Sequence, residues 1–213
     1  MQILALQSKM NPHFIFNSLN SIQNFILKNE KEKANDYLLE FAKLVRIILQ
    51  NSNQTNITIK NELDTLALYV DLEVKRLRKS FSYQVEIDPI IDANNALIPS
   101  LLIQPYVENS IWHGKVYENP KGIILIKVKK QEDVLHFEIS DNGIGIKNSQ
   151  NLKLNKTNHQ SLGSEITKSR IQLLGELNSE LSKINIKPLF ANNSEFPGTV
   201  VSFSIPYIIK KRS

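Results

Sequence analysis

The spacing of apolar residues changes near residue 80, and this change limits the folds open to the chain. Before it, apolar residues recur three to four positions apart, which is the period of an amphipathic helix. After it, Phe81, Tyr83, Val85 and Ile87 alternate with polar residues, as in a half-buried strand. Residues 1–79 are therefore predicted to be helical, and residues 80–213 to combine helices with strands.

Three helices are predicted in the first part, over about 10–26, 34–49 and 60–77. In the first, an apolar stripe of Ile15, Leu19, Ile22 and Ile26 must face a core or a partner helix. Two consecutive amphipathic helices predict an antiparallel hairpin, which leaves apolar surface uncovered. We therefore expect a homodimer formed through these N-terminal helices.

His13 lies on the side of the first helix opposite the stripe, together with Asn17, Asn20 and Asn24. We therefore expect His13 to be exposed. An exposed imidazole is partly neutral at physiological pH and therefore nucleophilic. Taken alone, the stretch is more typical of a surface histidine among asparagines that merely solvate a helix face.

The second part is predicted to form an α/β sandwich with helices on one face of the sheet. Its strands are predicted over 81–87, 122–129, 134–140, 184–190 and 200–205, its helices over 98–113 and 163–177, and a long loop over 148–160. The whole chain is then α+β, with a domain boundary near Lys79.

Composition excludes some classes of site. None of the 213 residues is cysteine, which excludes disulfides and thiolate metal sites. No apolar run approaches the roughly 20 residues that span a bilayer, so the chain as given is expected to be cytosolic. The net charge of +5 suits an anionic partner, but the lysines are dispersed and no nucleic-acid site is expected. The helical start without an N-terminal cap favours a natural chain that extends upstream.

Polar residues in two places of the second part point to a ligand site. Glu108, Asn109 and His113 lie near the end of an otherwise apolar helix, and an amide oxygen there is a suitable ligand for Mg²⁺. Asp141 follows a strand, where its carboxylate can accept a hydrogen bond from an exocyclic amine.

Glycines follow Asp141 and recur at the start of a predicted helix. Gly143 and Gly145 let the backbone approach a ligand closely, because they lack a Cβ. Gly163 ends the polar segment 146–162, and N–H groups at a helix start can bind phosphate. Each of these features is weak by itself, but their order and spacing together are specific.

The chain closely resembles the sensor histidine kinases of the LytS/YehU type over nearly its whole length. The motifs that carry the resemblance are a phosphoacceptor box at 7–22 with His13, a linker-helix signature at 69–76, an N box with Glu108, Asn109 and His113, a G1 box at 141–145, the lid end at Gly163 with Arg170 and Ile171, and a final Gly-Thr turn at 197–199.

This resemblance implies a Bergerat-type (GHKL) α/β sandwich at 80–213 behind a dimerisation and phosphotransfer region at 1–79. It implies ATP and Mg²⁺ as cofactors and transfer of the γ-phosphoryl group to His13, then to an aspartate of a response regulator, for which the LytTR type is one candidate. Asn109 would bind Mg²⁺ and Asp141 the adenine amine, while the glycines would let the lid close. Contact with a membrane would come only through a missing upstream segment, which would make this chain the cytoplasmic part of an inner-membrane sensor.

Other roles stay open within the resemblance. His113 is carried over as a nucleotide-binding residue of the N box. Glu108 could orient a water or help to deprotonate the acceptor, and Asn17 could orient the imidazole or a hydrolytic water. Phe14 stands where the more widespread histidine kinases carry an acidic base, so the base is not identified.

Two departures from the family pattern keep other functions open. Trp112 stands where the family usually has lysine, so a phosphate contact is either lost or supplied by Lys115. Ser161 replaces the first lid glycine. The alternatives are a dimeric signalling scaffold that does not catalyse, and an ATP-hydrolysing relative of the gyrase or mismatch-repair type with Glu108 as base, which would leave His13 without a role.

Overall fold

The computed structural model describes residues 12–153 and 184–210 of the chain. Within this part the fold is α+β, as predicted, and the helices are followed by a mixed sheet. The helices are α1 (Pro12–Leu27), α2 (Lys31–Ser52), α3 (Ile59–Leu77), α4 (Gln104–Trp112) and α5 (Gly145–Lys153), with a short 3-10 turn at Val116–Glu118.

The strands form two sheets. They are β1 (Asn56–Thr58), β2 (Ser82–Ile87), β3 (Ala96–Pro99), β4 (Ile123–Gln131), β5 (Val134–Asp141), β6 (Asn185–Lys187), β7 (Thr199–Pro206) and β8 (Ile208–Ile209). The larger sheet has the order β2-β4-β5-β7-β6 and the smaller one β1-β3-β8. Among these pairs β2 and β4 run parallel, whereas the others are antiparallel.

Helices α2 and α3 bury the faces that their apolar period predicts. Tyr37, Phe41, Leu44 and Ile48 of α2 are at most 9% exposed. Helix α3 begins where the Thr58 side chain accepts the N–H of Asn61 at 3.2 Å, an N-cap that satisfies one of the free donors at the helix start. It ends at Arg78 in the left-handed conformation.

Helix α1 buries the predicted stripe only in part. Ile15 and Ile22 are half-buried and pack against the core, as the stripe predicts. Leu19 and Ile26 are 49% and 61% exposed, whereas Phe14, Ser18 and Phe25 are buried. The aromatic rings occupy the hairpin core, because they bury more apolar area than the aliphatic side chains do. The ring of Phe25 lies 5.8 Å from that of Tyr37, centroid to centroid, and is tilted by 50°. Ser18 belongs to this face because its hydroxyl accepts a hydrogen bond from Tyr37 at 3.3 Å.

Two other predictions about the second part need correction. Helix α4 begins at Gln104 rather than near residue 98, because 96–99 forms β3 between β1 and β8. Residues 148–153 belong to α5 and not to a loop. The rest of that loop and the predicted helix over 163–177 lie outside the described residues.

One buried core extends through both parts of the chain. Phe14 and Tyr69 from the helices belong to the same cluster as Ile126 and Phe203 from the larger sheet. Strand β1 joins the helical part to β3, and the proposed division near Lys79 stays a prediction. In the described ranges no helix combines the length and the apolar character that crossing a bilayer requires.

Candidate functional site

Asp141, the last residue of β5, is a carboxylate that is only 3% exposed. One carboxylate oxygen accepts the N–H of Gly143 at 3.0 Å, and the other accepts the hydroxyl of Ser110 at 2.9 Å. Burial raises the pKa of Asp141 to about 6, although both hydrogen bonds act to lower it. Among the described residues no cation pairs with this carboxylate.

Glycines bring three loops into close contact beside Asp141. A Cβ on Gly143 would lie 2.0 Å from the carbonyl oxygen of Gly114, and one on Gly198 would lie 2.2 Å from that of Asp141. Gly198 has φ +60° and donates its N–H to Gly143 at 3.0 Å. Gly145, at φ +72°, lies against Pro197. Only glycine fits such approaches, which explains why these residues recur at the site.

Asn142 fixes the end of β5 against the start of β4. Its side chain accepts the N–H of Ile123 and donates to the carbonyl of Lys121, each at 2.7 Å. Its own carbonyl accepts the side-chain amide of Asn119 at 2.7 Å. The direction in which the chain leaves Asp141 is therefore set by three hydrogen bonds.

Helix α4 carries the three polar residues predicted from the N box. All three are half-buried. Glu108 and Asn109 lie within α4, and His113 directly follows it. Glu108 accepts the side-chain amide of Gln104 at 2.8 Å. The carbonyl of Asn109 accepts the N–H groups of His113 and Gly114, which closes the helix. Ser110, on the same helix, connects α4 directly to Asp141.

Trp112 ends α4 and packs against α3. Its indole N–H donates to the hydroxyl of Tyr69 at 3.3 Å, and the guanidinium of Arg76 lies 4.3 Å from the ring centroid. Arg76 also forms an ion pair with the buried Glu73 at 2.7 Å. Lys115, which the sequence offers as a source of the phosphate contact, pairs with Glu118 at 2.9 Å.

The histidine-bearing helix reaches this region through the residue after His13. Phe14 is 1% exposed, and its ring centroid lies 4.9 Å from that of Tyr69. His13 itself is the second residue of α1, but its side chain lies outside the described part, so its predicted exposure stays a prediction. Asn17, one turn further along α1, is half-buried.

The structure therefore brings together most of the predicted site residues. Asp141, Gly143 and Gly145 lie in one loop, which contacts the end of α4 through Ser110 and Gly114. Gly163 and the lid end lie outside the described residues.

Sequence reasoning missed two sets of contacts. No feature of the sequence indicates that Ser110 is the partner of Asp141, because a serine in a helix has many possible partners. The contact of α3 with Trp112 does have a sequence signal, since Tyr69, Glu73 and Arg76 recur at helical spacing on one face of α3.

The residues present fit a nucleotide with Mg²⁺. Within residues 12–153 and 184–210, each oxygen of Asp141 accepts one hydrogen bond, and a carboxylate oxygen has a second lone pair for an exocyclic amine. A half-buried asparagine beside a glutamate offers the oxygen ligands that Mg²⁺ prefers when phosphates complete its coordination.

Comparison with known proteins gives a consistent result. A family model described as histidine kinase matches residues 1–81. The LytS sensor protein of Staphylococcus saprophyticus is 32% identical over 97% of this chain, and the sensor histidine kinase YpdA of Escherichia coli is 30% identical over 96%. The chain spans only about a third of the length of these relatives, 34% in each case.

The fold is also similar to a solved kinase structure. The histidine kinase domain of the blue-light activated histidine kinase EL346 from Erythrobacter litoralis aligns with a TM-score of 0.52. The alignment covers 97% of this chain and 93% of that domain at 14% identity, so it shows a shared fold. The similarity in sequence covers nearly the whole chain, and together these findings show that the chain is similar to sensor histidine kinases of the LytS type.

Proposed function

We propose that this chain is the phosphotransfer and ATP-binding part of a two-component sensor histidine kinase. Residues 1–79 would carry His13 and the dimer contact, and residues 80–213 would bind MgATP. The γ-phosphoryl group would move to an imidazole nitrogen of His13, and then to an aspartate of a response regulator.

Asp141 is the observation that carries nucleotide binding. A buried carboxylate that no cation of the described residues pairs with is costly, since its charge is desolvated and the two hydrogen bonds offset only part of the loss. Such a group is retained where it serves a ligand. A planar exocyclic amine such as that of adenine would donate to it, and the glycine contacts beside it would admit the ring.

The other site residues have roles that follow from their chemistry. Asn109 would hold Mg²⁺ through its side-chain oxygen, and His113 would help to bind the nucleotide. Glu108 would orient a water or accept a proton. Gly143 and Gly145 would allow the backbone to close on the nucleotide, and Gly163, outside the described residues, would act as the lid hinge.

The chemical step forms one bond and breaks another. A neutral His13 nitrogen would form the N–P bond while the bond from the γ-phosphorus to the β,γ-bridging oxygen breaks, so that ADP leaves. Such a loose transition state requires mainly positioning and charge neutralisation from the protein. Asn17 would orient the imidazole from the next turn of α1.

A second copy of this chain is the proposed partner of the helical part. Exposed apolar side chains are concentrated on α1 and α2, including Phe16 and Leu27, which are 66% and 75% exposed. Pairing two hairpins into a four-helix bundle would cover them. A response regulator, of the LytTR type as one candidate, would accept the phosphoryl group.

Labelling with γ-labelled ATP tests the proposal. We expect an acid-labile, alkali-stable phosphoprotein that disappears in His13→Ala and in Asn109→Ala. The matched control is His136→Ala, which removes a histidine of β5 that bonds Ser204 at 2.8 Å and has no part in the site. Labelling that survives His13→Ala would overturn His13 as the acceptor.

The same assay separates the alternatives. A non-catalytic scaffold would show neither labelling nor MgATP binding that depends on Asn109. An ATP hydrolase would release phosphate steadily without any phosphoprotein, and would lose this activity in Glu108→Gln.

A further inference from the structure

One face of α3 contacts both ends of the proposed nucleotide-binding helix α4. Glu62, near the start of α3, accepts the N–H groups of Leu101 and Ile103 at 3.0 Å each, directly before α4 begins. Tyr69 and Arg76, one and two heptads further along, contact Trp112 at the other end. The two helices therefore run in the same direction, and α4 is held at its first and last turns.

The contact at Trp112 fixes the indole ring from two directions. The N–H points to the hydroxyl of Tyr69, and the ring face receives the guanidinium of Arg76, which is itself held by Glu73. Burial, helped by the nearby carboxylates of Glu108 and Glu73, raises the pKa of Tyr69 well above its usual value, so its phenol stays neutral and available as an acceptor.

The same tyrosine contacts the helix that carries His13. The ring of Tyr69 lies against Phe14, which follows His13 in sequence, and Phe14 also packs near Phe41 at 6.0 Å. A short chain of contacts, Phe14 to Tyr69 to Trp112, therefore joins the residue beside the acceptor to the helix that carries Asn109. Both links have a defined geometry, an aromatic contact and a hydrogen bond.

We propose that Trp112 is a positioning residue that holds the nucleotide-binding helix in register with the histidine-bearing helix through Tyr69 and Arg76. The inference rests on the proposed kinase function. Trp112 would not touch the reacting atoms. It would act by keeping α4 aligned with α1 at the moment of transfer, where small displacements cost rate. At this position the family usually has a lysine that could contact phosphate. Trp112 would instead align the two helices.

Conservative substitutions test this role. Trp112→Phe keeps an aromatic face for Arg76 but removes the N–H, and Tyr69→Phe keeps the ring against Phe14 but removes the acceptor. Each should lower kcat for His13 labelling by about three- to tenfold, the effect of one lost hydrogen bond, while KM for MgATP changes less than twofold. Because both variants remove the same bond, the double variant should be no slower than the slower single one.

Tyr106→Phe is the matched control. Tyr106 is a second buried tyrosine, on α4 itself, and its hydroxyl has no hydrogen-bond partner in the described part of the chain. Its removal should leave kcat and KM unchanged. Trp112 is the single tryptophan of the chain, so its fluorescence reports the contact without catalysis. Emission should change in Tyr69→Phe but not in Tyr106→Phe.

The outcomes distinguish this inference from the proposed function. Wild-type protein that binds MgATP without labelling His13 would overturn the kinase function. Wild-type labelling with unchanged kcat in both Trp112→Phe and Tyr69→Phe would overturn the inference alone. Strictly additive losses, or losses confined to KM, would also overturn it, because they would place the two residues in separate roles or in nucleotide binding.

Discussion

Asp141 illustrates how a residue can be destabilising for the fold and still be required at a site. Its pKa rises from 3.8 to about 6 in the folded protein, so folding favours the protonated form. That contribution is fully present below pH 3.8 and is lost as the pH rises through about 6. At neutral pH the carboxylate is therefore ionised at a cost.

Asp141→Asn should separate stability from binding. An amide can still accept the N–H of Gly143 and can donate to the hydroxyl of Ser110, so both hydrogen bonds are kept without the buried charge. We expect the free energy of unfolding to rise by about 1–3 kcal/mol at pH 7.5, with the gain shrinking toward pH 4. Urea denaturation at several pH values measures this.

Nucleotide binding gives the second readout for this variant. MgATP affinity should fall at least about tenfold, because the amide NH₂ that replaces one oxygen cannot accept from an amine. Ser202→Ala, on β7 and away from the loop, serves as the control for both measurements. A variant that is both less stable at pH 7.5 and unchanged in affinity would contradict this account of Asp141.

Gly198 makes the opposite case, a residue whose small size the fold itself requires. Gly198→Ala would place a Cβ at φ +60° and 2.2 Å from the carbonyl oxygen of Asp141. We expect a loss of about 2 kcal/mol or more in the free energy of unfolding, from backbone strain and the displaced loop. Glu195→Ala, exposed in the same loop, should change it by less than about 0.5 kcal/mol. Equal effects of the two changes would contradict the steric argument.

At the scale of elements, the side chain of Asn142 joins the end of β5 to the start of β4 at the edge of the site. Asn142→Ala removes two side-chain hydrogen bonds that join the end of β5 to the start of β4, and should cost about 2–3 kcal/mol. Asn142→Asp keeps the acceptor for Ile123 and loses only the donor, so its cost should be smaller. Thermal or urea unfolding measures both, with the exposed Asn35→Ala of α2 as the control. Equal costs for the two Asn142 variants would show that the hydrogen bond accepted from Ile123 contributes little.

Apolar periodicity correctly predicts those elements in which the face marked by the pattern is also the face that packs against neighbouring elements. Helices α2 and α3 and strands β4, β5 and β7 satisfy this condition, since each buries the face that its own pattern marks. Helix α1 does not, because it carries two candidate faces. The aromatic one, with Phe14 and Phe25, packs inside the hairpin and leaves Leu19 and Ile26 outside.

Short elements could not be predicted from a single sequence. Strand β3 has only four residues and depends on β1 and β8, which are distant in sequence, for its hydrogen bonds. The apolar run that precedes α4 therefore reads as the start of the helix in the sequence pattern. In the site, the motif residues Asp141, Gly143 and Gly145 were identifiable from spacing, whereas the bond from Ser110 to Asp141 depends on how α4 packs across the sheet.

At the scale of the whole molecule, α1 leaves apolar side chains exposed to solvent in the single chain. The aliphatic stripe predicted for a core or a partner helix has Leu19 and Ile26 turned to solvent. Since Ile15 and Ile22 of the stripe already pack against the core of the same chain, Leu19 and Ile26 are the stripe residues that are available to a second copy. Burying each such side chain across a dimer would contribute about 1.5–3 kcal/mol.

Leu19→Glu combined with Ile26→Glu should therefore convert a dimer into a monomer. The two carboxylates would be desolvated in the interface, which makes association unfavourable, whereas the folded monomer exposes both positions and should keep its far-UV circular dichroism. Light scattering coupled to size exclusion measures the change in mass. Asn24→Glu, an exposed polar position on the same helix, should remain dimeric. A wild-type monomer, or a double variant that still dimerises, would place the contact between copies elsewhere and leave the stripe without a role in assembly.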